Sequence, residues 1–352
     1  MKQFIFFAIL TFALSAHGQN YCMRFYGHGT GDIDRVKIRI DAPAKPVDVA
    51  YDFTVEFEMK AALADNPLGG NASEGYNDDW TLGHIMIDRD IFGAGDYGDY
   101  GISLVNGYVA FGTNNGSWAY TLIGETMVAD NNWHHIALVR DDAGIMYIFV
   151  DGLLDGTFND APDGNLSYRN NRSTPWPNDP FIILGAEKHD YDNTTYPSYS
   201  GFMDELRISN TQRYTAPFTI PAMPFSPDGA TMGLYHFNEG SGTILQDAAT
   251  VAGSPSQGTV KYGGSAPSGP VWVLRSSPPT GQWSGALSSD WFSPGNWSDG
   301  QLPVASTVVT LHAGKPNYPL ITGTGAICYQ LVVEPGVDFE VASGAILTIT
   351  GE

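Results

Sequence analysis

The sequence predicts an all-β chain, a two-layer sandwich followed by a smaller β module, on three observations. Gly (41) and Pro (22) are frequent among the 352 residues while charged residues make up only 16%, the composition of a chain with many turns. Several stretches alternate apolar and polar residues with period two. The clearest is Phe53-Thr54-Val55-Glu56-Phe57-Glu58-Met59-Lys60, in which Phe53, Val55, Phe57 and Met59 share one face. No segment sustains a helical period.

Taken in order, residues 1–19 read as a secretory signal peptide: Met1-Lys2-Gln3, an apolar run over 4–14, then small residues. That run is too short to span a bilayer, and no later stretch reaches the roughly twenty apolar residues a spanning helix needs. Strands are expected at 35–40 and 53–60, followed by an acidic Gly/Asn-rich loop over 61–79. Residues 80–87 lead into Asp88-Arg89-Asp90 and a glycine-rich, acidic loop. Short strands at 101–104 and 108–111 flank an Asn106-Gly107 hairpin turn. Residues 131–156 form the most informative stretch. In it, Trp133, His135, Ala137 and Val139 alternate with His134, Ile136, Leu138 and Arg140, then Asp141-Asp142-Ala143-Gly144 turns the chain into the unbroken apolar run 145–150, expected to be at least partly covered on both faces, and Asp151-Gly152 turns it again. A long polar loop over 159–180, a strand at 181–184, an acidic Tyr-rich loop over 188–200 and a strand at 201–209 follow. The 217–227 tract is Pro-rich and extended. From 253 to 279 the composition shifts to Ser, Gly and Pro, as in a linker.

The order Trp-His-His, apolar strand, acidic turn, apolar strand, Val-Asp-Gly resembles the central signature of laminin-G-like domains in the concanavalin A-like lectin and glucanase superfamily. Phe53 to Lys60 resembles the early FTVEFW strand of that family, with Glu58 in place of its Trp. Gly201-Phe202-Met203-Asp204-Glu205-Leu206-Arg207-Ile208 resembles its closing GxxDExRI strand, and Phe237-Asn238-Glu239-Gly240-Ser241-Gly242 its FdEgsG segment. The resemblance spans roughly residues 21–260 and implies a jelly-roll β-sandwich. The expected organisation is therefore a signal peptide over 1–19, a laminin-G-like sandwich over 20–252, a linker over 253–280 and a second β module over 281–352. In that module Trp291-Phe292-Ser293-Pro294-Gly295-Asn296-Trp297 and the short β runs after it look like the opening of a β-solenoid. The pattern resembles modules of large secreted or surface proteins of Bacteroidetes-type bacteria, and a fragment of something longer is expected.

With 17 basic against 38 acidic residues the net charge is −21, which argues against nucleic acid and anionic membranes as partners and suits a calcium-binding or solvent-exposed protein. Cys22 and Cys328 lie far apart and are expected to be unpaired thiols.

Asp204 shares the parity of Phe202, Leu206 and Ile208, so its carboxylate is expected to face the core or its margin, where a metal or backbone N–H groups must satisfy it. In relatives the corresponding aspartate helps hold a structural calcium, while Glu205 is expected to point to solvent. Asp88, Asp90, Asp96 and Asp99 offer hard oxygen ligands among glycines, either as a calcium loop or as a solvated acidic loop. Trp118, Tyr120, Trp176, Tyr191, Tyr196 and Tyr199 lie in or beside loops and are the candidate sugar platforms, against the alternative of local packing anchors. Successive strand residues face opposite ways, so His134 and His135 cannot share a metal. The Glu-x-Asp-x-Glu triplet of the superfamily's glucanases is absent, and Glu56 with Glu58 reads as a polar strand face.

The function expected is non-catalytic recognition or adhesion, secreted or at a cell surface, with a glycan or an extracellular matrix or cell-surface partner as ligand and calcium as a structural ion. The alternatives are a structural spacer in a large surface protein and a concanavalin-type glycoside hydrolase.

Overall fold

The computed structural model describes residues 21–41, 43–67, 71–91, 98–168, 177–275, 281–298, 300–305 and 307–351, so the segment read as a signal peptide, Asp96 and Trp176 lie outside the described residues. The chain divides into two compact units, Met1–Leu274 and Arg275–Glu352. No helix among the described residues is long and apolar enough to cross a membrane.

The first unit runs through β1 (Tyr21–Tyr26), β2 (Arg35–Arg39), β3 (Phe53–Ala62), β4 (His84–Asp88), β5 (Asp99–Val105), β6 (Tyr108–Asn114), β7 (Ala119–Met127) and β8 (Asp130–Arg140). It continues through β9 (Met146–Val150), β10 (Leu153–Phe158), β11 (Phe181–Leu184), β12 (Ser200–Ser209), β13 (Thr231–Tyr235), β14 (Ile244–Leu245), β15 (Gly258–Lys261) and β16 (Val271–Leu274). Among the described residues these strands form two eight-stranded sheets. One has the order β10-β9-β8-β3-β12-β1-β16, with β13 also on β12, and the other β14-β15-β2-β11-β4-β5-β6-β7. The period-two pattern of β3 puts Phe53, Val55, Phe57 and Met59 into the layer between the sheets, where all four are fully buried. Phe53 packs across that layer on Tyr100 of β5 and Phe111 of β6, with ring centroids 4.9 and 6.2 Å away. Each such side chain contributes about 1.5–3 kcal/mol by leaving water. The turns follow the residues that allow them: Asn106-Gly107 and Asp151-Gly152 both take positive φ at both positions, as a two-residue hairpin turn requires.

The outer face of the first sheet is not the ordinary polar face its glutamates suggest. Glu56 is fully buried. Its Oε1 accepts from Arg207 Nε at 2.8 Å, its Oε2 accepts from Tyr214 Oη at 2.9 Å, and His135 Nε2 lies 3.3 Å from Oε2. The cover comes from the segment that includes the Pro-rich tract. Thr54 Oγ1 donates to the Thr211 carbonyl, the Phe218 amide donates to the Gly152 carbonyl at 2.9 Å, and Phe218 and Phe225 set their edges against His135. Burial disfavours the Glu56 carboxylate, but the hydrogen bond with His135 and the charge of Arg207 hold its pKa below the usual glutamate value.

On the outer face of the second sheet one indole is seated on the backbone of β5 and β6. Gly101 and Gly112 are register partners on β5 and β6, and a Cβ at either would fall 2.0 or 1.8 Å from the Trp80 ring. The two glycines are thus the seat of Trp80, which is buried with Ile85, Val105 and Ala110. The Trp80 amide donates to Thr121 Oγ1 at 3.2 Å, and Gly75 and Thr121 exchange backbone bonds of 3.0 and 2.9 Å. Residues 71–83 are pinned in this way across β5, β6 and β7.

Two expectations are corrected here. The Ser/Gly/Pro-rich stretch read as a linker over 253–280 contains β15 and β16, which pair with β2 and β1 and belong to the sandwich. Each is only four residues long and lies among Gly, Ser and Pro, so composition alone hides them. The parity of β12 is also broken. Its register against β3 shifts between Asp204 and Arg207, and Glu205 takes a φ of 49°. This β-bulge puts Met203, Leu206 and Ile208 in the core, while Phe202 faces outward against Trp133 and Arg24.

The second unit contains β17 (Val308–Leu311), β18 (Leu320–Ile321), β19 (Ala326–Cys328), β20 (Gln330–Val333), β21 (Glu340–Val341) and β22 (Leu347–Ile349). They pair in parallel as β17 with β20, β18 with β21 and β19 with β22, which is two successive coils of a β-solenoid. Trp283, Trp291 and Trp297 fill one end of its core, with Trp297 edge-on to the other two at 5.1 and 4.8 Å. Asn296 is buried because its amide ties that turn. It accepts from the Leu287 and Ser288 amides at 2.9 and 2.8 Å and donates to the Asp290 carbonyl at 2.9 Å.

Glu56→Ala leaves Arg207, His135 and Tyr214 without their shared acceptor and should cost about 3–5 kcal/mol by denaturant unfolding, with Glu56→Gln in between. Because the folded pKa of Glu56 is depressed, its contribution is present above the unfolded value and lost as pH falls below about 4, a loss that Glu56→Gln should not show. Gly112→Ala should destabilise by about 1–3 kcal/mol through overpacking against Trp80, and in a Trp80→Ala background the same substitution should be close to neutral.

Candidate functional site

At one rim of the sandwich a cleft of about 490 Å³ is lined by Tyr76, Asn77, Asp78, Asp90, Ile91, Asp99, Asn114 and the hairpin residues Gly116, Ser117, Trp118 and Ala119. One wall is the loop seated by Trp80. It carries Tyr76, Asn77 and Asp78, and the Ile123 amide of β7 steadies it by donating to Glu74 Oε2 at 3.0 Å. The opposite wall is the β6–β7 hairpin. Asn114 Oδ1 accepts from the Gly116 amide at 2.7 Å, and Asn115 Oδ1 accepts from the Ser117 and Trp118 amides at 3.0 and 3.3 Å, so the turn that presents Trp118 is fixed by its own asparagines. Asp99 opens β5 and sits opposite Asn114 in register.

Aromatic rings occupy one side of the cleft. Tyr76 is 66% exposed, and its ring lies 5.7 Å from Trp118 and edge-on to Tyr120 at 5.3 Å. Tyr120 in turn stacks on Phe158 of β10, with centroids 3.6 Å apart. Carboxyl groups occupy the other side. Burial, and then the charge of Asp90, push the Asp78 carboxyl up to about 6. Burial and Asp90 also raise Asp99, and burial raises Asp90 itself. Behind Asp90, at 3.4 Å, stands His189; burial works against its charge, but Asp179 and Glu187 push it up to about 9. The acids are therefore crowded and partly desolvated, and burial outweighs the opposing charges of His189, Lys188 and Arg89, an arrangement that favours a proton or a cation.

The structure distributes the predicted site residues unevenly. Trp118, Asp90 and Asp99 come together in the cleft. Asp88, on the adjoining strand, is 2% exposed; its oxygens accept from the Asp90 and Lys188 amides at 2.8 and 2.9 Å, and burial, then Asp90, push its carboxyl up to about 6. Tyr120 is only 5% exposed and supports Tyr76 instead of offering its own face. Tyr191 and Tyr196 form a separate pair at 5.9 Å on the 187–200 loop, away from the cleft lining. Tyr199 cannot be a platform: it is fully buried in the core beside Phe25, and its hydroxyl donates to the Lys60 and Phe202 carbonyls. Asp204 is fully buried at the bulge, where its Oδ1 accepts from the Glu205 amide at 2.9 Å. Glu205, expected in solvent, is 3% exposed and accepts from the Phe225 amide at 2.9 Å, with His236 Nδ1 also at 2.9 Å. The bulge turns it under the covering segment. Among the described residues no three His, Cys, Asp or Glu side chains are placed to hold a metal ion between them. A cation at the rim would therefore complete its shell with Asn114, backbone carbonyls, water or ligand hydroxyls.

Tyr76, Asp78 and Asn114 were missed by the sequence reading. The signal for them is the string Tyr76-Asn77-Asp78-Asp79-Trp80, an exposed aromatic and acids directly before a residue that anchors the loop, and the Asn114-Asn115-Gly116 turn before Trp118.

Compared with curated protein sequences, the chain has no match. Among solved structures, similar ones include a protein from Bacteroides ovatus described as a candidate carbohydrate binding protein, at 14% identity and TM-score 0.42, covering 74% of this chain and 61% of that one. A heptameric SAP-like pentraxin from Limulus polyphemus matches at 12% identity and TM-score 0.36, covering 56% and 79%. Domains LG4-5 of the mouse laminin α1 chain match at 11% identity and TM-score 0.36, covering 54% and 42%. Residues 35–216, a little more than half of the chain, match the profile of the concanavalin A-like lectin/glucanases superfamily, and the chain belongs to that superfamily.

Proposed function

We propose that this protein is a non-catalytic recognition module that acts outside the cytoplasm and binds carbohydrate in the rim cleft, with calcium as the ion taken up by the acidic wall. The observation that carries the proposal is the cleft itself. Tyr76 and Trp118 line it together with Asp78, Asp99 and Asn114, so that aromatic rings for the C–H side of a pyranose and acceptors and donors for its hydroxyls share one cleft. The match to a lectin and glucanase family supports a binding module at this coarse level. When bound, calcium would neutralise the carboxylates and offer coordination positions to ligand oxygens.

One observation favours a second reading, a concanavalin-type glycoside hydrolase: a carboxyl held near 6 beside an aromatic wall has the character of a general acid. Glu56, which alternates with Glu58 on β3, takes no part in it, because it is sealed under residues 211–227. Sugar release from a glycan panel that disappears in Asp78→Asn while binding persists would establish the hydrolase. Silence of the panel in both binding and turnover would leave the spacer reading.

Tyr76→Ala and Trp118→Ala should each weaken glycan binding about tenfold on an array or by calorimetry. Tyr76→Ala should leave the melting temperature nearly unchanged, since that ring is 66% exposed. The rim acids set a pH dependence of opposite sign to that of Glu56. With the folded pKa of Asp78 raised to about 6, stability is greatest below its unfolded value and falls as pH rises through 6. Without calcium, the rim acids should thus make the protein more stable near pH 5 than near pH 7. Calcium should raise the melting temperature at pH 7, its affinity should decline below about pH 6 as protons compete, and Asp78→Asn should flatten both trends.

A further inference from the structure

Three polar side chains meet beside the start of β11, on the outer face of the second sheet and apart from the rim cleft. β2 and β11 are antiparallel neighbours with Lys37 opposite Ile183, and because Val36 and Ile38 point into the core, Lys37 points out. Its Nζ donates to Asn178 Oδ1 at 2.7 Å and to Asp32 Oδ1 at 2.9 Å. Asn178 belongs to the turn that leads into β11, and the Phe181 amide closes that turn by donating to the Asn178 carbonyl at 3.0 Å.

Each of the three groups is held in place by something else. The Asn178 carboxamide donates through Nδ2 to the Lys188 carbonyl at 2.7 Å, which turns its Oδ1 towards the Lys37 ammonium. Asn178 is 7% exposed and the Lys37 side chain 13%, and the Phe181 ring lies 4.8 Å from Nζ on a further side. Asp32 Oδ2 is paired with Lys261 of β15 at 3.0 Å. Burial opposes the charge of Asp32, but the hydrogen bonds of Lys37 and Lys261 hold its pKa below the usual aspartate value, so it is present as the base. A nitrogen 2.7 Å from a carbonyl oxygen stands about 3–4 Å from the carbonyl carbon, the range from which a nucleophile attacks.

We propose that Lys37 and Asn178 are a covalent cross-linking site, at which the chain joins β2 to the turn before β11 by an amide bond between Lys37 Nζ and Asn178 Cγ. Asp32 takes a proton from the Lys37 ammonium, the free amine adds to Asn178 Cγ, and Asp32 returns that proton to Nδ2. The Cγ–Nδ2 bond then breaks, the new amide nitrogen gives up its remaining extra proton, and the nitrogen of Asn178 leaves as ammonium. A lysine ammonium and a carboxamide go in, and a secondary amide and free ammonium come out, with no oxidant or cofactor needed. The bond closes residues 37–178 into a covalent loop and fastens two neighbouring strands in the middle of the sheet.

The test is intact mass and tryptic peptide mapping of the full folded chain. The expected result is a mass about 17 Da below that of the sequence, one ammonia, with Lys37 resistant to trypsin and residues 36–39 recovered joined to residues 173–188. Lys37→Arg and Asn178→Ala should each release the two segments separately. Asp32→Asn should form the linked peptide at least about a hundredfold more slowly, as when a general base is lost, and Asp32→Glu should restore it. Recovery of residues 36–37 as a free peptide in full yield from the unsubstituted chain overturns the proposal. So does the same mass deficit without the linked peptide, because ring closure at Asn106-Gly107 or Asn115-Gly116 also releases ammonia. A linked peptide that forms equally fast in Asp32→Asn overturns the role given to Asp32.

Discussion

A sandwich buries the inner faces of its two sheets against each other, and its outer faces must be dealt with one at a time. Here the contact on which the candidate site depends is the indole of Trp80 lying on the backbone of Gly101 and Gly112. It fixes residues 71–83 over β5, β6 and β7, and Tyr76 and Asp78 thereby become a wall instead of a loose loop. On the other sheet the same need is met by a different device, an extended segment rich in proline and aromatic residues laid over a buried ion network. Both covers depend on residues that carry no chemistry of their own.

The two acidic groupings of the first unit are electrostatic opposites. Glu56 is surrounded by Arg207, His135 and Tyr214 and stays ionised in spite of burial. Asp78, Asp90 and Asp99 resist ionisation, because burial and neighbouring acids outweigh the cations near them, His189, Lys188 and Arg89. Burial is common to both, so partners decide the outcome. A paired carboxylate under an aromatic cover is structural. Crowded carboxylates at the mouth of an open cleft hold free energy that a ligand or ion can release.

What was legible in the sequence follows from how local each signal is. The alternation in β3 and the turns Asn106-Gly107 and Asp151-Gly152 are written in adjacent residues, and the structure has them where that pattern puts them. The parity of β12 could not be read through, because a bulge at Glu205 depends on pairing with β3 and leaves no mark in the strand's own sequence. β15 and β16 were hidden by their short length and by the prolines around them. At the site, Trp118, Asp90 and Asp99 were found because aromatic and acidic residues in glycine-rich loops stand out. Tyr199 was misread because a tyrosine ring next to a polar loop looks the same whether its hydroxyl meets water or two backbone carbonyls. Asp78 and Asn114 were missed because each is unremarkable alone and they become partners only across the fold, with the Asn114 amide 3.3 Å from the Asp78 carboxylate.

The pairing of β1 with β16 has a mechanical consequence. The ladder is antiparallel and begins with Tyr21 opposite Leu274, so the chain enters and leaves the sandwich side by side, at the same end of the same ladder. Tension applied through the two ends would load the hydrogen bonds of that ladder one after another, peeling β16 from β1, and would not shear them all at once. The core beneath would be reached only after this seam had opened. The same adjacency lets the sandwich sit within a longer polypeptide as a bead whose entry and exit nearly coincide, adding little to the contour of the chain that carries it.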